Sequence, residues 1–123
     1  MYRERVIEHF TRPRNVGRMA EPDGTGEMGD PSCGDYLKIY IKVKYHRIQD
    51  IKFEIKGCPA AIATSSMLTE IVKGKTVNEA WEICDEDVLE ALGGLPENKI
   101  HCSNLSTGAL QNAIISYIAR EDK

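Results

Sequence analysis

Residues 36–72, YLKIYIKVKYHRIQDIKFEIKGCPAAIATSSMLTEIV, contain a change of period that decides the fold. Leu37, Ile39, Ile41, Val43 and Tyr45 alternate with Tyr36, Lys38, Tyr40, Lys42 and Lys44, the two-residue repeat of a strand with one buried and one wet face. Ile51, Phe53 and Ile55 repeat it between Lys52, Glu54 and Lys56. With only about five residues between the runs, an antiparallel hairpin is the natural connection. No Asn-Gly signal stands at His46-Arg47, so the turn type is open. After Gly57-Cys58 the period becomes helical. Pro59 suits a first helical turn, Ala61, Ile62, Leu68, Ile71 and Val72 fall on neighbouring faces, and Gly74 ends the run.

On the amino-terminal side, residues 21–34 hold Pro22, Asp23, Gly24, Gly26, Glu27, Gly29, Asp30 and Pro31, which predicts a loop or at most a short edge strand delivering Cys33 to the sheet. Before it, Tyr2, Val6 and Phe10 form a short helical face over residues 2–11, broken by the segment 13–17, Pro-Arg-Asn-Val-Gly. On the carboxy-terminal side, Thr76-Val77-Asn78-Glu79 reads as a capping box opening a short helix through Trp81, and Asp85 as the cap of another through Leu92. From about Ser103 to Arg120, Leu105, Ala109, Ala113 and Tyr117 step by fours beside Leu110, Ile114 and Ile118, a long amphipathic helix. The order predicts an α+β fold: a small antiparallel β-sheet covered on one face by helices, with a long carboxy-terminal helix. Residues 1–123 read as one domain without repeats or linkers.

Sixteen Lys plus Arg against nineteen Asp plus Glu give a net charge of -3, so the chain offers polyphosphates no strong attraction and no nucleic-acid role is expected. No apolar run approaches the roughly 20 residues of a membrane span, and no signal-type segment follows the charged amino end, so a cytoplasmic protein without membrane contact is expected. There thiols stay reduced, which makes cysteines 33, 58, 84 and 102 candidates for metal binding rather than disulfides.

Three of the four sit at junctions between elements. Cys33 precedes Gly34-Asp35 at a strand start, Cys58 follows Gly57 and opens a helix, and Cys102 follows His101 just before the long helix. If residues 33–35 are extended, the i, i+2 spacing turns the Cys33 thiol and the Asp35 carboxylate to one side. A thiolate in a first helical turn is favoured by the dipole and by unpaired N–H groups, which applies to Cys58 and Cys102. Plainer readings stand beside these. Cys33 is equally compatible with burial, His101 with an ordinary half-exposed histidine and Asp35 with a turn residue. Cys84, between Ile83 and Asp85, reads as a small buried hydrophobe. The spacings of 25 and 44 residues match no compact zinc-finger or ferredoxin pattern.

No thioredoxin-type C-x-x-C, phosphate loop or G-x-S-x-G elbow is present. Ser65-Ser66 fall inside the predicted helix, where they serve packing. Lys38, Lys42, Lys44, Arg47, Lys52 and Lys56 read as a solvated sheet face, or more weakly as a docking surface for an acidic partner.

Read together, Pro13-Arg14-Asn15-Val16-Gly17, Cys33-Gly34-Asp35, Gly57-Cys58 with Ala61-Ile62-Ala63 and Ser65-Ser66, Val72-Lys73-Gly74-Lys75-Thr76, and His101-Cys102-Ser103 resemble the iron–sulfur cluster assembly scaffold family, of the IscU and NifU amino-terminal type. The motifs run in order from about residue 2 to residue 118. The resemblance implies a non-enzymatic, iron-binding scaffold carrying a transient [2Fe-2S] cluster at Cys33, Asp35, Cys58, His101 and Cys102, with either Asp35 or His101 as fourth ligand. It also implies persulfide sulfur from a cysteine desulfurase and hand-over to apo iron–sulfur acceptor proteins. The sulfur, nitrogen and oxygen donor set would in addition take one zinc ion in the isolated protein, adventitious or regulatory. A homo-oligomer is left open. The segment by which a specialised DnaK-type chaperone recognises bacterial members, Leu-Pro-Pro-Val-Lys, reads Leu95-Pro96-Glu97-Asn98-Lys99 here, which leaves chaperone use open, and Pro59-Ala60 stand where Gly-Ser is frequent. The alternative, a zinc-containing persulfide acceptor, is disfavoured because those relatives carry an insertion before the last cysteine and lack the histidine beside it.

Overall fold

The computed structural model describes residues 4–29, 35–95 and 102–121, the last stretch with side chains from 105 to 120. The order is α1 (Glu4–Thr11), β1 (Gly24–Gly29), β2 (Tyr36–Lys44), β3 (Arg47–Lys56), α2 (Pro59–Val72), α3 (Val77–Trp81), α4 (Asp85–Leu92) and α5 (Cys102–Glu121). The three strands form an antiparallel sheet in the order β1-β2-β3. Leu37, Ile39 and Ile41 of β2 and Ile51 and Phe53 of β3 are fully buried on the face that meets α2 and α5. The alternation read from the sequence is thus the alternation of the sheet.

The hairpin is tighter than five residues. Only Tyr45 and His46 separate β2 from β3, and both have positive φ, 54° and 62°, the geometry of a two-residue turn whose twist matches that of the strands. Tyr45, expected on the buried face of the strand, is therefore at the turn tip and 86% exposed. The register skips Gln49 between the pairs Lys42↔Asp50 and Val43↔Ile48, which absorbs the mismatch between the short turn and the apolar pattern.

The glycine-rich approach is an edge strand, and its glycines serve close packing. A Cβ on Gly26 would lie 2.2 Å from the Ala109 carbonyl oxygen and from the Ala113 nitrogen, and one on Gly24 would lie 2.4 Å from the Ala113 oxygen. Only hydrogen at these positions lets α5 lie directly on β1. Three polar residues spaced by four along α5 then cover the outer edge of the strand. Asn112 Nδ2 donates to the Glu27 carbonyl (3.0 Å), Ser116 Oγ accepts from the Thr25 N–H (3.4 Å), and Arg120 donates to the Pro22 carbonyl (2.8 Å).

The other sheet edge is covered by residues 13–17. The Phe53 N–H donates to the Asn15 carbonyl (3.0 Å), and the Gly17 N–H donates to that of Phe53 (2.9 Å). Asn15, with φ 62°, turns the chain and anchors it through Nδ2 to Thr69 Oγ1 on α2 (3.0 Å). Ser66 is the companion anchor, its Oγ accepting the Arg14 N–H (2.9 Å) and bonding His9 Nδ1 (2.7 Å). This corrects the face expected for α1: Val6 and His9 are the buried pair, while Phe10 is 39% exposed. The imidazole outcompetes Phe10 for the interior because Ser66 and Glu70 supply both of its nitrogens with partners. Burial, then the Arg14 charge, holds the His9 pKa below its ordinary value, against the opposing pull of Glu70.

Candidate functional site

The strand register leads to the site. The β2–β3 ladder ends on the pair Tyr36↔Lys56, so the next residues outward, Asp35 and Gly57, stand across from each other, and Cys58 follows. Cys58 is half-buried and is the N-cap of α2, with extended φ −74° and ψ 167°, Pro59 directly behind it and no acid in the first turn. Its carbonyl accepts the first helical bond, from the Ile62 N–H at 3.1 Å. Asp35 is exposed at the start of β2. A Cβ built on Gly57 would lie 3.3 Å from Asp35 Cγ and Oδ1 and 3.2 Å from Ala61 Cβ, so the carboxylate lies against the very turn that carries Cys58.

Helix α5 arrives at the same place. Ala60 and Ala61 are fully buried, and Ile55, Cys58, Leu95 and Leu105 pack against them. Leu105 is one turn into α5, which begins at Cys102, so the starts of α2 and α5 lie side by side. Two helix N-termini therefore meet where Asp35 ends. The first N–H groups of a helix have no partner within it and carry partial positive charge, a setting that favours anionic sulfur or oxygen ligands.

Of the residues expected at the site, the structure sets Asp35 against Gly57, the residue before Cys58, and packs Cys58 against Ala60 and Ala61 together with Leu105, one turn into the helix that begins at Cys102. Cys33 and His101 lie outside the described residues, as do residues 96–100 of the segment that begins at Leu95. Among the described residues no group of three or more His, Cys, Asp or Glu side chains could hold a metal ion. The sequence singled out Gly57 only as the neighbour of Cys58; its place against Asp35 shows in the strand register rather than in composition.

Cys84 corrects two expectations at once. It is exposed rather than a buried hydrophobe, and it, not Asp85, is the N-cap of α4. Its N–H donates to Asp87 Oδ2 (2.9 Å), and its thiol donates to Asp87 Oδ2 (3.3 Å) and Glu86 Oε2 (3.4 Å). Polar partners at the surface outweigh the apolar character of a thiol here. The α3 capping box is present as read, with Glu79 N–H donating to Thr76 Oγ1 (3.1 Å) and Thr76 N–H to Glu79 Oε1 (2.9 Å).

The sheet face running away from Asp35 is more knitted than a row of solvated lysines. Tyr40 is buried there and its hydroxyl donates to Glu54, which also pairs with Arg18 Nε (2.8 Å). Tyr36 donates to Glu27, and Lys38 Nζ lies 5.1 Å from the centre of the Tyr40 ring. The hydrogen bond to Glu27 pushes Tyr36 up to about 12, and burial followed by the bond to Glu54 pushes Tyr40 up to about 12, so both remain neutral donors.

A family model described as the NifU-like N terminal domain matches residues 1–123. The chain belongs to that family. Among curated relatives of this NifU-like domain is "Iron-sulfur cluster assembly scaffold protein IscU 1" of Archaeoglobus fulgidus, 56% identical over 123 residues, covering 100% of this chain and 80% of the relative. A Drosophila melanogaster relative, "Iron-sulfur cluster assembly enzyme IscU", is 43% identical over 127 residues, covering 100% of this chain and 82% of its own length. The fold is that of the NifU-like protein (N-terminal) from Brucella abortus, with TM-score 0.73 at 21% identity over 95% of this chain and 94% of that one. Among the described residues of the NifU-like domain, no helix is long and apolar enough to cross a membrane.

Proposed function

We propose that the chain is a cytoplasmic, single-domain scaffold on which a transient [2Fe-2S] cluster is assembled and from which it is handed to apo-proteins. The observation that carries this reading is the whole-length match to the NifU-like N-terminal domain and to relatives named as cluster assembly scaffolds; the Asp35 carboxylate beside Gly57, the residue before Cys58, supports it. In this reading Cys33, Cys58 and Cys102 supply thiolates, and Asp35 or His101 supplies the fourth position. The cluster and its ligands are anionic, and the two helix N-termini offset that charge.

The cluster is cargo. Stable [2Fe-2S] centres are held by four thiolates, and a site with three thiolates and one harder oxygen or nitrogen ligand holds its iron less firmly. Such weakness suits a donor. Iron enters as the ferrous ion, and sulfur enters as persulfide from a cysteine desulfurase. Each persulfide sulfur takes up two electrons in becoming sulfide, one from a ferrous ion turning ferric and one from an external reductant. In this scheme the chain positions ligands and turns over no substrate, which fits the relatives named as scaffolds better than the one named an enzyme. Asp35 is the release element, and Asp35→Ala is expected to lengthen cluster lifetime and slow transfer.

Anaerobic incubation with ferrous iron, a desulfurase, cysteine and a thiol reductant tests the proposal. The wild type should develop the visible absorption of a [2Fe-2S] cluster. Cys33→Ala, Cys58→Ala and Cys102→Ala should not, and Cys84→Ala should. A wild type that holds only zinc, about one tetrahedral ion per chain, and merely accepts persulfide sulfur is a sulfur-transfer protein, and the scaffold reading fails.

A further inference from the structure

Asp35 sits between two glycines, Gly29 at the end of β1 and Gly57 just past the end of β3. On one side Gly29, with φ +90°, ends β1, and a Cβ there would fall 2.0 Å from the Asp35 carbonyl oxygen. On the other, a Cβ on Gly57 would fall 3.3 Å from Asp35 Cγ and Oδ1. The first approach fixes the backbone of Asp35, and the second leaves room for its carboxylate beside Cys58. We propose that Gly29 and Gly57 form a slot that positions the Asp35 carboxylate, and that Gly57 is thereby a positioning residue for cluster release. The proposal rests on the reading of Asp35 given above.

When the slot is filled, the neighbour with freedom to move yields. A methyl at position 57 would crowd Asp35 and Ala61 almost equally, at 3.3 and 3.2 Å. Ala61 is fully buried, and its carbonyl accepts the hydroxyls of Thr64 (3.0 Å) and Ser65 (2.9 Å). Its displacement would disturb the first turn of α2, whereas the exposed Asp35 side chain has a rotamer to change. Gly57 lies outside the positive-φ glycines, so alanine meets no backbone penalty there. Gly57→Ala is thus a probe of the carboxylate's position. Gly29→Ala is not, because its positive φ would strain the strand end.

A crystal structure of apo Gly57→Ala should show the Asp35 carboxylate swung away from position 57 with Ala61 in place. The converse, α2 displaced and Asp35 unmoved, overturns the slot. In the reconstituted protein, cluster loss to a chelator should slow about tenfold in Asp35→Ala, as if about 1.4 kcal/mol of help to release were removed, and about threefold in Gly57→Ala. The double variant should match Asp35→Ala, since Gly57 acts through the carboxylate. An additive effect, or none in Gly57→Ala while Asp35→Ala is slowed, overturns the positioning role. An unchanged rate in Asp35→Ala itself overturns the release role assigned to that carboxylate, and the crystal structure still decides whether Gly57 places it.

Discussion

Cys58 and Cys84 occupy the same backbone position in two helices, each an extended N-cap with φ −74°, ψ 167° and φ −111°, ψ 170°. Their surroundings are opposite. The first turn of α4 carries Asp85, Glu86 and Asp87, and all three acids are engaged: Asp87 accepts the Cys84 N–H, Asp87 and Glu86 accept its thiol, and Asp85 accepts the hydroxyl of Thr107 on α5. The first turn of α2 carries no acid. A helix N-terminus draws an anion in either case. In α4 the chain supplies its own, whereas α2 leaves that end to an anion from outside the helix. The same cap position is structural in one place and, in the proposed function, holds a ligand in the other.

The widest expected difference is in cluster assembly, where Cys58→Ala abolishes the visible chromophore and Cys84→Ala leaves its yield within about twofold, the scatter of a surface change. Equal losses in both variants would break the contrast. Next comes thiol reactivity. The Asp87 backbone contact draws the Cys84 thiol pKa down, but the thiol's own bonds to Asp87 and Glu86, with partial loss of water, leave it above the ordinary value. In the double substitution Glu86→Gln with Asp87→Asn, alkylation of Cys84 at pH 7 should quicken by about threefold per unit that the pKa falls, the gain in thiolate being partly offset by its lower nucleophilicity. Mass spectrometry of the modified peptide reads this, and an unchanged rate means the acids do not hold the proton.

The smallest effect is on stability. Hydrogen bonding by the Cys84 N–H, then by its thiol, keeps the Asp87 carboxyl below its usual range. A carboxylate lowered on folding stabilises above its unfolded pKa and ceases to as the pH falls through its folded one. Asp87→Ala should therefore lower stability by about 0.5 kcal/mol at pH 7, the low end for an exposed cap, in urea unfolding. The gap from wild type should close below roughly pH 4. A gap that persists at low pH would assign the loss to helix propensity rather than to the charged cap.

The pattern of the sequence was legible wherever periodicity met a solvent boundary. Leu37 to Val43 alternated as a sheet face does, Pro59 and Gly74 bracketed α2, and Thr76 with Glu79 made the box they spelled. Readings failed where a distant partner decided. Phe10 lost the interior to His9 because Ser66 and Glu70, some 60 residues away, satisfy the imidazole. Gly24 and Gly26 left loop and short edge strand both open, and the edge strand is what forms, because composition does not reveal that α5 lies on them. Tyr45 and His46 carry a turn usually built from Asn and Gly, so no local signal marked it. At the site, junction chemistry singled out Asp35 and Cys58, but the part of Gly57 emerged only from the register that sets it opposite Asp35.

Transfer is the most direct test of a scaffold. The chain, loaded with a [2Fe-2S] cluster and freed of excess iron and sulfide, is mixed with an apo-ferredoxin in the presence of a ferrous chelator, and circular dichroism in the visible range follows the chromophore. The expected result is passage of the signal to the acceptor at a rate the chelator does not change, slowed in Asp35→Ala. A cluster that stays with the chain, or reaches the acceptor only as iron and sulfide that the chelator intercepts, would contradict it.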